Sequence, residues 1–332
     1  MIRIENRINR NFQASGVCII GDTHHTLKAP ISRQDDYFDI VNRKMSAIIS
    51  MCNVNGLVPL LLGDIFHRAV ESHEIVKNSL IDHLYDADFT PIINPGNHDM
   101  SGSLLSRKDS LYTIKSSRCA IVNDRSGQIG FVDMTTQDAG TVRVGIGSTP
   151  YGQDIPSEVD WDVPCDYGFW MTHHNLPFAN HYDDQPVYGF SSIRNVSDVF
   201  NGHLHHPSPD VLKGGTSWHN FGSSTRTKKD ESERMPVVTI WTPDDGYQSV
   251  PLISDTTEHA FDVKTRMSPS RKKVAEAGEF GKRFVDFLSN EGDNEIDIAR
   301  EFDIMFANGM IDRKMQSFLT DIAEDARKVV TR

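Results

Sequence analysis

Cysteine is scarce in this chain, and the four present (Cys18, Cys52, Cys119 and Cys165) stand far apart with no CxxC pair. Such spacing argues against a disulfide framework and against a structural thiolate-zinc site, and it suits a reducing compartment. Cys18 lies inside an apolar run and reads as core. Also lacking is any stretch near the roughly 18 apolar residues that a membrane span requires. The N-terminal MIRIENRINRNFQ carries no apolar segment able to act as a signal peptide. No internal repeat or low-complexity tract stands out. A basic surplus is missing as well: the net charge is −12. A general basic footprint would favour nucleic-acid backbones, so phosphate affinity here has to come from local patches or bound metal. The expectation from these absences is a soluble protein of the cytoplasm with no membrane partner.

What is present is enough for a large core. With 332 residues, 38% of them hydrophobic, the chain can hold one large α/β domain plus an appendage, or two ordinary domains. Short apolar runs each end in a polar motif. Val17 to Ile20 leads into Gly21-Asp-Thr-His24, Val58 to Leu62 into Gly63-Asp-Ile-Phe-His67, and Pro91 to Asn94 into Pro95-Gly-Asn-His-Asp99. Runs of this kind, bounded by Gly and Pro, are what buried strands look like. Between them, 35–53 (with Phe38, Val41, Met45, Ile48 and Ile49) and 72–85 carry apolar residues at helical spacing. The order β-α-β-α-β predicts a mostly parallel sheet covered by helices, with its site at the carboxyl ends of the strands.

Farther along, the runs at 119–122, 129–132 and 141–146 suggest a second, more antiparallel sheet. The run 167–172 ends in His173-His174, and 196–200 ends in Asn201-Gly-His-Leu-His205. A last strand is expected at 236–241. After roughly Ser254 the composition turns charged and helix-prone. The organisation expected is therefore a domain over 1–253, a linker at 254–267 and a C-terminal helical region at 268–332.

The residue types at the run ends can bind metal. Asp22 and His24 share one side of a strand end, and His203 and His205 repeat that spacing. Asp64, Asn97 with His98, and His173 (or its neighbour His174) follow strands of their own. Carboxylate, amide oxygen and imidazole without thiolate suit Mn²⁺, Mg²⁺, Fe or Zn²⁺. Gly21, Gly63, Gly96 and Gly202 each precede one of these residues, where the chain must turn sharply close to an ion.

GDTHH, GDIFH, GNHD, THH and GHLHH, in that order, resemble the calcineurin-like metallophosphoesterase superfamily over roughly residues 15–245. The resemblance implies a four-layer α/β/β/α sandwich with a small C-terminal helical appendage and a centre of two divalent ions, Mn²⁺ foremost. It gives Asp22, His24 and His205 to one ion and Asn97, His173 and His203 to the other, with Asp64 bridging. A water shared by the two ions would attack the phosphodiester, and His98 would assist the leaving group. Asp99 is expected to orient His98. GDIFH is similar to the motif of the Mre11/SbcD-type DNA-repair nucleases, in which His67 would position the DNA phosphate. Asn220-Phe-Gly-Ser-Ser-Thr-Arg226 resembles the Gly-Ser segment of those nucleases. The resemblance also implies DNA as a partner, a Rad50/SbcC-type ATPase on the C-terminal helices, and a homodimer among the assemblies to consider. The compact size is similar to phage-encoded members, which places the chain in a bacterial or phage-infected cytoplasm.

Blander readings stand beside these. His67 can instead pack beside Phe66. His25 and His206 read as solvated neighbours, Trp218 as core, and the Phe280, Phe284, Phe287 and Leu288 stripe as internal packing. Arg271-Lys272-Lys273 reads as a solvated charge run. Two other functions compete with the nuclease: hydrolysis of small phosphoesters, and a non-catalytic scaffold for a coiled-coil ATPase. The scaffold would be marked by missing ligands, and the sequence misses none.

Overall fold

The structure, a computed structural model, describes residues 1–9, 12–252 and 260–261. The chain divides into two compact units, Met1–Asp262 and Val263–Arg332. The helical region expected at 268–332, its phenylalanine stripe and its basic run lie outside the described residues.

In chain order the elements are β1 (Ile2–Arg3), β2 (Gly16–Ile20), α1 (Tyr37–Asn55), β3 (Leu57–Leu61), α2 (Glu74–Tyr85), β4 (Ile92–Ile93), α3 (Ser110–Ser117), β5 (Ile121–Val122), β6 (Gly127–Thr135), β7 (Thr141–Thr149), β8 (Tyr167–Thr172), β9 (Asp198–Asn201), β10 (Ser208–Lys213), β11 (Thr216–Asn220), β12 (Val237–Thr242) and β13 (Gly246–Pro251). They form two sheets. One has six strands in the order β13-β12-β2-β3-β4-β5, and the other has seven in the order β1-β6-β7-β8-β9-β11-β10. Strands β2 to β5 run parallel, and β12 joins β2 antiparallel.

The sandwich follows from strands that are apolar on both faces. Val17 and Ile19 of β2 pack with Val144, Ile146, Phe169 and Phe200 of the facing sheet. Cys18 and Ile20 turn outward to Met45, Ile48 and Ile49 of α1. A strand covered on both sides has no polar face to show, so it reads as a continuous apolar run. Helix α1 starts where Asp36 accepts from the Asp39 N–H at 3.1 Å and stops at Gly56, which takes the left-handed conformation at φ 64°. The outer face of the seven-stranded sheet buries Trp170, Val199 and Trp218. Loop residues Leu176, Phe178 and Ile193 cover them, so among the described residues this layer is loop rather than helix.

Two expectations need correcting. Ile121–Val122 pairs with β4 in the six-stranded sheet and is not part of the second sheet. In the second sheet only β6/β7 and β10/β11 are antiparallel; β7, β8, β9 and β11 lie parallel in sequence. Parallel neighbours usually announce themselves by a crossover helix, and here the crossovers are loops. The hairpin β10–β11 went unread because β10 is polar and exposed; Gly214 and Gly215 turn it at φ 57° and 91°.

Candidate metal centre

Parallel strands deliver the site. Asp22 and His24 follow β2, Asp64 follows β3, Asn97 and His98 follow β4, His173 follows β8, and His203 and His205 follow β9. The chain bends hard at these exits. His24, Asp64 and His203 take φ of 47°, 48° and 73°, a left-handed conformation that costs a side-chain-bearing residue on the order of 1–3 kcal/mol each. The first two exits brace each other, because the Thr23 and His24 N–H groups both donate to the Asp64 carbonyl at 3.2 and 2.9 Å. Gly63 turns at φ 116°. Gly96 and Gly202 answer a different need: a Cβ on Gly96 would reach 2.8 Å from His173 Nε2, and one on Gly202 would reach 2.9 Å from Asp22 Oδ1.

Two clusters of donor atoms result, Asp22 with His24 and His205, and Asp64 with His173 and His203; within each, the atoms lie within 4.8 Å of one another. In the first, His24 Nε2 faces His205 Nε2 at 3.0 Å, and Asp22 Oδ2 is 3.5 Å from His205 Nε2. In the second, Asn97 Oδ1 is 2.9 Å from His203 Nδ1 and 3.2 Å from His173 Nε2. Asp64 lies between, with Oδ1 3.3 Å from His173 Nε2 and Oδ2 3.9 Å from His24 Nε2. Donors held about 2.1 Å from one ion stand roughly 3.0–3.4 Å apart; most of these spacings lie in or next to that range, while Asp64 Oδ2 stands farther off, 3.9 Å from His24 Nε2. Asp22 Oδ2 is buried without a hydrogen bond, a costly state unless a cation faces it. The donor set therefore fits a pair of divalent ions.

The field inside is strong. Burial opposes a charge on Asp64, but His173, His98 and His24 outweigh it and hold the carboxylate well below its usual range. Burial also opposes a charge on His173, which Asp64 and Asp22 nevertheless raise to about 9. Asp22 moves up, mainly through burial.

Histidine orientation comes from partners that motif spacing does not reveal. Glu231 Oε1 accepts from His205 Nδ1 at 2.5 Å, and its other oxygen accepts the Thr227 N–H at 2.6 Å. Burial resists its charge, yet His205 brings Glu231 down to about 2. Gln185 Oε1 lies 3.0 Å from His203 Nε2, and the Leu62 carbonyl is 2.9 Å from His173 Nδ1. Tyr37 at the start of α1 donates to the His24 carbonyl at 3.1 Å. Within the Gly-Ser segment, Ser224 Oγ donates to the Gly21 carbonyl at 2.7 Å and Thr225 Oγ1 to that of Asp22 at 3.2 Å, while the Ser223 N–H reaches the His205 carbonyl at 3.0 Å. That segment ties the first motif to the last.

His98 stands at the rim. Its N–H donates to Asp64 Oδ1 at 2.8 Å, and its Nδ1 donates to the His67 carbonyl at 2.7 Å. Asp99 does not orient it: Asp99 accepts the N–H groups of Ile65, Phe66 and Gly96 at 2.9, 3.0 and 2.9 Å and so shapes the backbone around Asp64. The His67 ring stacks beside His98 at 5.8 Å and meets His24 edge-on at 5.4 Å, which places it in the cluster while Phe66 is buried in the core. His174 turns away to the Gln153 carbonyl at 2.9 Å, so of the two neighbours His173 faces the cluster. His25 is not solvated; it is buried near Thr23 Oγ1 and the Ile65 carbonyl, because its loop pairs with Phe66. His206 is half-buried, with its ring 3.6 Å from Asp230.

A family model for calcineurin-like phosphoesterases matches residues 16–207. The chain belongs to that family. This calcineurin-like phosphoesterase thus has the two-ion centre of its family as its cofactor site, with the described clusters as the residue groups able to hold the ions. Among solved structures, it is similar to a predicted phosphoesterase from Streptococcus pneumoniae, at 11% identity over 75% of this chain and 94% of that one, TM-score 0.32. It is also similar to a 5′-nucleotidase precursor from Thermus thermophilus, at 12% identity over 71% and 54%, TM-score 0.39. A third is the calcineurin-like phosphoesterase YfkN from Bacillus subtilis, at 10% identity over 71% and 88%, TM-score 0.36. Among curated proteins none matches significantly. No helix of the described residues is long and apolar enough to cross a membrane.

Proposed function

We propose that this phosphoesterase is a Mn²⁺-dependent DNA exo- or endonuclease of the Mre11/SbcD type, working in the cytoplasm of a bacterial or phage-infected cell. The observation that carries this reading is His67, whose ring lies with His98 and His24 at the mouth of the centre. A histidine at this place matches the GDIFH motif of those nucleases, in which it would position the DNA phosphate. The clamp made by the Gly222-Ser223 segment supports the same reading. DNA is the partner it requires, and residues 268–332 are assigned to a Rad50/SbcC-type ATPase.

Asp22, His24 and His205 would hold one ion, Asn97, His173 and His203 the other, and Asp64 both. When bound, such a pair supplies Lewis-acid stabilisation of phosphate oxygens and lowers the pKa of the attacking water. The side chains do the rest. His98 keeps its Nδ1 proton on the His67 carbonyl, so Nε2 is the ring nitrogen left for the leaving oxygen, and it has a proton to give only when His98 is the imidazolium. Glu231 and Gln185 fix the rings of His205 and His203.

The test is to offer single-stranded, blunt and hairpin DNA beside bis-p-nitrophenyl phosphate, with Mn²⁺. Cleavage of DNA by the wild type and loss of cleavage in Asp64→Ala support the reading. Brisk hydrolysis of the small diester with all DNA left intact overturns it in favour of a small-molecule phosphodiesterase, the reading that the net charge of −12 favours.

A further inference from the structure

Beside the first cluster lies a pocket of about 310 Å³ with His205 on one wall and Tyr182, Asn180 and Lys228 on others. Tyr182 belongs to the loop after β8, and this loop is built rather than slack. The buried amide of Asn175 grips Tyr182 at both ends, accepting its N–H at 2.9 Å and donating to its carbonyl at 2.6 Å. The Tyr182 ring meets His203 at 5.1 Å, and Tyr151 flanks the same histidine at 5.6 Å. Lys228, an exposed residue, sets its ammonium 4.9 Å over the Tyr182 ring, so the face it covers is the one that the movement of a flexible surface side chain would uncover.

We propose that this pocket is a subsite for one unpaired nucleotide next to the scissile phosphate. Its base lies on the Tyr182 face, and the Lys228 ammonium swings on its flexible stem to a flanking phosphate. The idea rests on the nuclease reading and deepens it by naming the substrate as a single-stranded end. Three observations select this ligand. The volume is at the lower end of small-molecule sites, room for one nucleoside and too little for a base pair. Asp230 lines the same pocket and offsets Lys228, which leaves stacking as the main contribution and so favours a base over a bare phosphate. Stacking on tyrosine accepts any base, but only one free of its duplex neighbours.

The experiment uses the full-length protein with Mn²⁺, comparing oligothymidylate, blunt duplex and bis-p-nitrophenyl phosphate. The wild type is expected to prefer the single strand to the blunt duplex. Tyr182→Ala is expected to lower kcat/KM on oligothymidylate roughly 5- to 150-fold relative to the baseless diester, the worth of one stacked base. Most of the loss falls in KM, and Tyr182→Phe restores it. A second readout is the affinity for fluorescent oligothymidylate in EDTA: Tyr182→Ala weakens it, and an oligonucleotide of abasic residues binds wild type and variant alike. Equal proportional losses on both substrates, or abasic and normal strands binding the wild type equally, overturn the subsite. If the wild type cleaves the small diester but no DNA, the nuclease reading falls; base-dependent binding lost in Tyr182→Ala would still support the pocket as a nucleotide subsite.

Discussion

Two polar clusters each take residues from both sheets, and they are built on opposite plans. At the metal centre, two histidine nitrogens face each other at 3.0 Å, a carboxylate oxygen of Asp22 has no hydrogen bond, and residues are held at positive φ. Around His219 on β11, Asp198 lies 3.0 Å from one ring nitrogen and Asp210 2.9 Å from the other. Tyr247 donates to Asp198 at 2.8 Å, and Phe221 stacks on the imidazole at 14°. In the second cluster each ring nitrogen has a carboxylate within 3.0 Å, although Nδ1 makes no aligned hydrogen bond; the first sets nitrogen against nitrogen and gains its partner only from cations. An unpaired buried donor set is unstable without its ligand, so its persistence in a folded chain marks function, whereas a paired set marks structure.

The largest effect that would break this contrast is at Asp64, which faces both halves of the centre. Asp64→Ala is expected to cut hydrolysis of any phosphodiester on the order of 10³-fold, the scale of removing a key electrostatic group. It should also remove most of the rise in Tm that Mn²⁺ gives the wild type, a rise worth about 2.7 kcal/mol at a metal concentration a hundred times Kd. Calorimetry with and without Mn²⁺ checks this; equal shifts in both proteins would deny Asp64 any part in holding metal. His98→Ala comes next. Loss of a proton donor costs about 10²- to 10⁴-fold, but only where the leaving oxygen needs a proton. The deficit on DNA should therefore far exceed that on bis-p-nitrophenyl phosphate, whose leaving group departs as a stable anion. Equal deficits would make His98 an electrostatic or binding group instead.

Glu231→Gln sharpens the contrast at smaller scale. Its carboxylate touches the metal centre only through His205. Removing such a partner costs roughly 10- to 100-fold in metal affinity or activity, so the variant should need more Mn²⁺ to reach its plateau and then recover much of its rate. A metal titration of activity reads this directly, and a deficit that no Mn²⁺ concentration repairs would assign Glu231 some other role.

Glu231 also shows where the sequence was legible and where it was not. Asp22, His24, Asp64, Asn97, His98, His203 and His205 stood out because each lies within three residues of a Gly at the end of an apolar run, and a strand exit leaves a local signature. The first sheet was readable for the same reason: its helices carry a 3.6-residue period between strands. Glu231 sits in a polar stretch after the last motif, and nothing in Lys228-Lys-Asp-Glu231 says which of its carboxylates folds back onto His205. Gln185 and Tyr182 lie in a loop without periodicity. Asp99 was noticed but misassigned, since three backbone N–H groups, which no motif displays, claim its oxygens. Local chemistry was visible; long-range partnership depended on the register of two sheets, which spacing does not encode.

The smallest effect on hydrolysis belongs to His219, and it tests the other side of the comparison. Burial opposes its charge, but Asp198 and Asp210 outweigh burial and raise its pKa above 6.5 in the folded protein. The unfolded chain has no such partners, so its pKa stays near 6.5. A raised folded pKa means that protonation favours the fold. The full stabilisation is present below about pH 6.5 and is lost as pH rises through the folded value. Asp198 itself is held down, despite its burial, by hydrogen bonds from His219, Ser197 and Tyr247, so its own share is lost only at acid pH, as pH falls through its lowered pKa. The Tm difference between wild type and His219→Gln should thus be widest near pH 6 and narrow steadily above it, with the Mn²⁺ dependence of activity in the variant close to that of the wild type. A Tm difference that stays flat from pH 6 to 9 would show that the imidazolium contributes packing alone. A changed metal requirement would show that the two clusters are coupled across the sheet.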